Sequence, residues 1–487
     1  LASLLYLLLT YPFRKPRRAV LLTLGLALLA TLALFGWYYR YRFYFMNSGG
    51  PSEGTGPLPV AAYTERPLYA PGETLRLAYY ASDSCRLRIE RMSAPYRYRP
   101  VLSQALPPHR PASRRRDARR GCGWPYTYRW KLPDSLPGGY YRFRLLHPED
   151  TFASAFLLQA REAAQAPVAM LAPVSTWLAY NRWGGRSLYY NGDTAATNYH
   201  VAWERPLTSL HFDSVVNPAD GGNIHDLQIE ANIYRWLAQQ ARVAVYPDFA
   251  LETMPPGLAQ AELIVLAFKN EYVSRAMYNR LEALVARGRS LLALGANQVY
   301  WRAEWDSAHR ILTCRKDLTG HRGHFWDYGG MWRHHLRHES GLLGAGWDRH
   351  GINTYAPYRL EAPEHPLTKG LQLKRGALFG KRGINQLPLS GPETDKTSFS
   401  TPGDAVVLAR GLNPDGWANL GYVWPQALRE GAWDGSGGAD MTYYQTPSGG
   451  KVLSTASMQS GAGLGVDPVL THIVAAFLRQ SLVSTER

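Results

Sequence analysis

The sequence predicts an α/β protein in which an N-terminal transmembrane helix and a β-sandwich precede an α/β domain on a mainly parallel sheet. Three observations carry this expectation. Ala19 to Trp37 (AVLLTLGLALLATLALFGW) is an uncharged, leucine-rich run of nineteen residues, about the length that crosses a bilayer. From Val60 to about Ala160, short apolar runs alternate with turns and no helical period intervenes. From Ala166 onward, strands alternate with amphipathic helices, which implies parallel pairing through right-handed crossovers. A hydrophobic content of 46% with 19% charged residues belongs to a folded chain and excludes a disordered one.

The first element is the anchor, residues 1–45, with the helix at 19–37. Arg14, Lys15, Arg17 and Arg18 precede it, whereas an aromatic belt (Trp37, Tyr38, Tyr39, Tyr41) and only Arg40 and Arg42 follow. That asymmetry predicts a cytoplasmic N-terminus, a membrane partner, and a bulk that is extracytoplasmic, in the periplasm or on the cell surface. The net charge of +16 raises nucleic acid as a partner. It is set aside because the excess forms no stripe. Part of it lies beside the apolar run and part in Arg110 to Arg120 (RPASRRRDARR), a solvated insertion or a patch for anionic lipid or polymer.

Residues 46–58 (from MNSGGPSEGTGPL) form a Gly/Ser/Pro linker. Residues 59–160 form the sandwich, of immunoglobulin-like type. LRLAYYA, CRLRIERM and YYRFRLL have strand character, and APGET and LPGG are turns. Cys85, Cys122 and Cys314 are the only cysteines and form no CxxC, which excludes a zinc ribbon or thioredoxin-type site. In an oxidising compartment Cys85 and Cys122 pair; otherwise all three are buried thiols.

Residues 166–487 form the α/β domain, with loop-rich insertions at about 302–440. Its strands are VAMLAP, VAVYP, AELIVLAF, SLLALG and KVLSTAS. Its helices are IEANIYRWLAQQ, VSRAMYNRLEALVARG (ended by Gly288) and DPVLTHIVAAFLRQSL.

Ligands of open parallel sheets bind beyond the carboxyl ends of the strands. Three segments converge there: Ala179 to Tyr190 (AYNRWGGRSLYY) after the first strand, Lys269-Asn270-Glu271-Tyr272 after AELIVLAF, and GANQVYW, with Asn297 and Trp301, after SLLALG. The sequence has no GxSxG, no HExxH and no Walker loop, and Lys269-Asn270-Glu271 occupies the place a nucleophilic cysteine would need. Phenols and a carboxylate remain, hard oxygen donors that suit a cation such as Fe(III). Alternatively the tyrosines only pack, and Glu271 caps the following helix. A second cluster, His321, His324, His334, His335 and His338, places His334 and His338 four apart, a helical ligand spacing. It reads either as a metal site or as an exposed basic loop.

The order TWLAYNRWGGRSLY, ANIYRWLAQQ, EYVSRAMYNRLEALVARG, LLALGANQVYWR and MTYYQTPSGGKVLSTAS resembles the N,N-dimethylformamidase large (beta) subunit family over nearly everything after residue 58. The resemblance implies a glutamine-amidotransferase-like fold without its cysteine nucleophile. It also implies hydrolysis of a C–N bond in a small amide or an envelope molecule by mononuclear Fe(III). The metal ligands it implies are Tyr180, Tyr189 (Tyr190 in reserve) and Glu271, with Lys269 or Asn297 orienting substrate. A small accessory subunit or a homo-oligomer would be the partner. The chain departs from the family pattern where Lys269 and Asn270 replace His-Asp, and in GINQ (Gly383 to Gln386), where Asn385 replaces an acid. Those departures carry the alternative of a non-catalytic binding or structural module that grips a glycan or polymer.

Overall fold

The structure is a computed structural model. It describes residues 25–26, 28–33, 58–112, 118–188, 199–212, 225–308, 310–316, 330–348, 350, 352, 354–414 and 437–482. The fold is mixed α/β with several sheets.

Two sheets build the first part. One holds five strands in the order Leu68–Tyr69, Thr151–Leu158, Gly139–Leu146, Cys85–Ala94, Arg97–Leu106. The other holds Val60–Thr64, Thr74–Ala81 and Tyr128–Lys131. Alternate residues such as Leu75, Leu77, Leu87 and Ile89 turn inward onto one core with Tyr63, Phe143 and Phe156, the period-two signature of a half-buried strand. Cys85, Cys122 and Cys314 are buried and form no disulfide.

The largest sheet has nine strands. Val243–Pro247, Val168–Ala172, Leu263–Phe268, Ser290–Gly295 and Lys451–Ser454 lie parallel in that order. Asp440–Gln445, Val406–Gly411, Tyr358–Leu360 and Leu378–Phe379 then continue it antiparallel. The sheet is therefore half antiparallel, not mainly parallel, because the region read as loop-rich insertion supplies the extra strands. The parallel strands are buried on both faces, so they read as continuous apolar runs. Val168, Met170 and Val265 face the helices Leu227–Gln240 and Pro468–Leu482. Ala169, Leu171 and Ile264 face the helix Arg275–Ala286 on the other side. Buried Glu230 ties the helix Leu227–Gln240 to the five-stranded sheet by accepting from Tyr140 Oη (3.0 Å), and it also accepts from Trp177 Nε1 (3.1 Å).

The N-terminal transmembrane helix is not borne out. Among the described residues no helix is long and apolar enough to cross a membrane. Of the 19–37 run, residues 25–26 and 28–33 are described, and they are helical. The single-pass placement, with cytoplasmic N-terminus and extracytoplasmic bulk, falls with it, since a charge asymmetry sets orientation only through a span and none is found among the described residues.

The carboxyl edge of the parallel strands holds unusual backbone. Phe268, Asn297 and Ala456 adopt left-handed conformations, with φ of 57°, 53° and 58°, a strain of about 1–3 kcal/mol each. Gly295 is the residue that lets two strands end together there: a Cβ on it would collide with the Phe268 carbonyl oxygen, its register partner. Gly295→Ala is accordingly expected to destabilise the fold by about 1–3 kcal/mol, because backbone cannot give way as a side chain can. A urea midpoint equal to wild type would refute this.

Candidate functional site

The three segments expected to converge do so. The aromatic stretch is not all loop: Ala179 and Tyr180 end a buried helix, Val174–Tyr180. Its Thr176 hydroxyl donates to Lys269 O (2.6 Å) and accepts from Glu271 N (3.2 Å). The chain beyond Phe268 is stitched to the chain beyond Gly295 as well. Val299 N donates to Asn270 O (2.8 Å), Trp301 N to Glu271 O (2.8 Å), and Asn270 N to Gln298 Oε1 (2.7 Å). Local backbone bonds thus hold Tyr180, Lys269, Glu271 and Asn297 in one buried place.

Tyr180 Oη donates to Glu271 Oε2 at 2.9 Å. Lys269 Nζ donates to Tyr180 Oη at 2.7 Å and to Glu393 Oε1 at 2.7 Å, and lies 3.5 Å from Glu271 Oε2. Asn297 Nδ2 donates to the other Glu393 oxygen, Oε2, at 2.8 Å. Burial pulls the Lys269 amine down, but Glu271 and Glu393 outweigh it, so its pKa is raised and it is an ammonium at neutral pH. Glu393 is the member that reaches solvent, its side chain 14% exposed against 3% for Lys269 and 1% for Glu271.

Three contributors were not legible beforehand. Glu393 supplies the second carboxylate that GINQ lacks, while Asn385 itself pairs with Gln459. Asp395, on the strand Thr394–Lys396, accepts from Asn297 N (2.8 Å). Burial pushes the pKa of its carboxyl well up from the ordinary value, although the hydrogen bond from Asn297 N pulls the other way. Lys316 follows the strand Ile311–Thr313, its Nζ 4.7 Å from the Trp301 ring centre and 5.3 Å from that of Tyr272. Burial lowers its amine to about 7, with Glu271 pulling the other way and Lys269 reinforcing the drop. All three come from the region read as loops, where no period marks a position as facing the sheet edge.

Tyr189 and Tyr190 lie outside the described residues, as do His321 and His324. Glu271 does not cap the next helix; the Ser274 hydroxyl does, accepting from Met277 N. His334 and His338 do not share a helical face. The short turn Trp332–His335 ends at left-handed Leu336, and each ring accepts from nearby backbone, Met331 N and Ser340 N. Among the described residues no group of three His, Cys, Asp or Glu side chains is arranged to hold a metal. A cavity of about 520 Å³ lined by Arg161, Tyr234 and Arg242 lies at the opposite, amino ends of the strands, away from this cluster.

A family model described as N,N-dimethylformamidase beta subunit-like, C-terminal, matches residues 73–472. The N,N-dimethylformamidase beta subunit of Alcaligenes sp is 21% identical over 398 residues, and that of Paracoccus aminophilus 22% identical over 400 residues. Each alignment covers 69% of this chain and 51% of the relative. The chain spans about half the length of the curated relatives it matches.

Proposed function

Because the chain belongs to the N,N-dimethylformamidase beta subunit-like family, we propose that it hydrolyses the C–N bond of a small amide at the cluster around Lys269. The observation that carries this reading is a buried set of opposed charges at the carboxyl ends of parallel strands, with an amine poised near neutrality beside it. Perturbed groups of this kind concentrate at catalytic sites.

Mononuclear Fe(III) is the cofactor that the family resemblance suggests, with Tyr180 and Glu271 as donors. Both oxygens are of the right hardness. The Lys269 ammonium, however, lies on the same two oxygens, and the Tyr180 proton is committed to Glu271. The described residues do not fit a resident iron, and no step here runs through one.

The residues present supply an alternative. Lys269 Nζ and Asn297 Nδ2 converge on the two oxygens of Glu393, a donor pair that also suits the oxyanion of a tetrahedral intermediate. Glu393, the solvent-reaching member, yields when a carbonyl enters. Neutral Lys316 accepts a proton as water adds to the carbonyl carbon and the carbonyl electron pair moves onto oxygen. On collapse, the C–N bond breaks and the Lys316 ammonium returns that proton to the leaving amine. The products are a carboxylic acid and an amine. The relatives are named as beta subunits, so a second chain completing the enzyme belongs to the proposal.

A competing reading, a non-catalytic binding module, has one observation in its favour: the Lys269 ammonium already faces three protein oxygens. The test is amine and carboxylate release from formamide, N-methylformamide, N,N-dimethylformamide and acetamide, followed by NMR, with and without any co-purifying chain. Release that Asn297→Ala lowers by about 10²–10³-fold is the expected result. Release from none of these amides by folded protein would favour the binding module.

A further inference from the structure

We propose that Lys269 is the resident cation of this site: its ammonium holds the place among the Tyr180, Glu271 and Glu393 oxygens that a metal ion would otherwise take. The inference stands independently of amide turnover.

Three oxygen donors from three separate segments of the chain converge on one Nζ, at 2.7 Å (Tyr180 Oη), 2.7 Å (Glu393 Oε1) and 3.5 Å (Glu271 Oε2). A phenol and two carboxylates form a hard donor set. Their spacing suits N–H···O contacts; carboxylate oxygens bound to a first-row metal stand at only about 2.0–2.2 Å. A metal ion and the ammonium cannot share the centre, because like charges repel strongly away from water. Two carboxylates gathered at one buried point without a cation would lose several kcal/mol, and Lys269 meets that need with a charge carried on the chain itself. Its position follows from the backbone: Phe268, in a left-handed conformation at the strand end, turns the chain so that Lys269 comes directly after it. A tethered cation differs from a metal in one testable respect, since neither a chelator nor dilution removes it.

The experiment uses the full chain. Iron, zinc and manganese are measured by mass spectrometry after chelator treatment and again after incubation with ferric salt, beside the visible spectrum and the melting temperature. Wild type is expected to be metal-free, without a tyrosinate-to-iron band, and unchanged in melting temperature by either treatment. K269M, of similar length but uncharged, is expected to melt lower and to regain several degrees when ferric or manganous ion is added, a gain that chelator reverses. Near-stoichiometric iron in wild type, with a band that Tyr180→Phe abolishes, would overturn the proposal. So would a folded K269M indifferent to every cation. Should K269M not fold, K269M/E393Q, with one carboxylate fewer, is titrated in its place and read by the same two outcomes. Metal content and melting are read apart from amine release, so an absence of turnover would count against the amide reading and leave this one standing.

Discussion

Lys316→Met is expected to lower amide hydrolysis by about 10²–10⁴-fold, the usual contribution of a positioned general base, and at the same time to make the protein more stable. Both effects come from burial, which brings the amine from 10.5 down to about 7. Between those values the unfolded chain carries a proton at Lys316 that the folded chain does not. Stability therefore rises with pH across that window. The burden of Lys316 on the fold is full below about 7 and gone above 10.5. At about 1.4 kcal/mol per pKa unit, methionine should stabilise the fold by a few kcal/mol at pH 7 and by almost nothing near pH 10.5. Denaturation at those two pH values measures the difference. The catalytic limb has the same origin: kcat/KM in wild type should climb with pH and level off above about 7, once the amine is neutral. Lys316→Arg separates shape from titration, because guanidinium does not deprotonate in proteins, and it should leave the enzyme as inactive as methionine does. A stability gain that is equal at both pH values would show that Lys316 does not titrate as its surroundings imply.

Arg333→Met is expected to destabilise the fold by about 3–5 kcal/mol, the loss that follows when one member of a buried ion pair is removed. Arg333 and Glu339 are each about 1% exposed and pair directly. Burial pushes the Glu339 carboxyl up, but Arg333 and His338 outweigh it and hold it below its ordinary value. Without Arg333 that carboxylate is stranded. The consequence reaches the site, because Arg333 Nη2 also donates to Trp347 O at 3.0 Å, and Trp347 is the register partner of Asp395. Asp395 in turn receives Asn297 N, and Glu393 lies two residues before it. Arg333→Met should thus weaken both the fold and the Glu393 contact to Lys269. The double variant Arg333→Met/Glu339→Leu should recover most of the stability, since replacing both charges leaves none unpaired. Urea midpoints of wild type and of the single and double variants decide the point; a single variant as stable as wild type, or a double variant no more stable than the single, would refute it.

Legibility followed periodicity. Leu263–Phe268 and Ser290–Gly295 are unbroken apolar runs because helices cover both faces of the sheet, and the helix Arg275–Ala286 shows its inward stripe of Met277, Leu281 and Leu284. Tyr358–Leu360 is short, and Val406–Gly411 mixes exposed and buried positions without a clean period, and so the antiparallel half of the sheet went unread. The 19–37 run led to a span by composition and length alone, and among the described residues no helix is long and apolar enough to cross a membrane.

The sequence by itself determined that Tyr180, Lys269, Glu271 and Asn297 meet. Lys269, Glu271 and Asn297 each follow a parallel strand within a few residues, Tyr180 ends the short helix that follows another, and the carboxyl ends of such strands share one edge. Only the tertiary structure decided what they meet. Glu393 lies 122 residues beyond Glu271 by its number, on a short segment without period, and Lys316 comes from a separate hairpin. A charge on a chain can be read locally, but its counter-charge is chosen by packing, and packing here set an ammonium among the oxygens where the motif led one to expect iron.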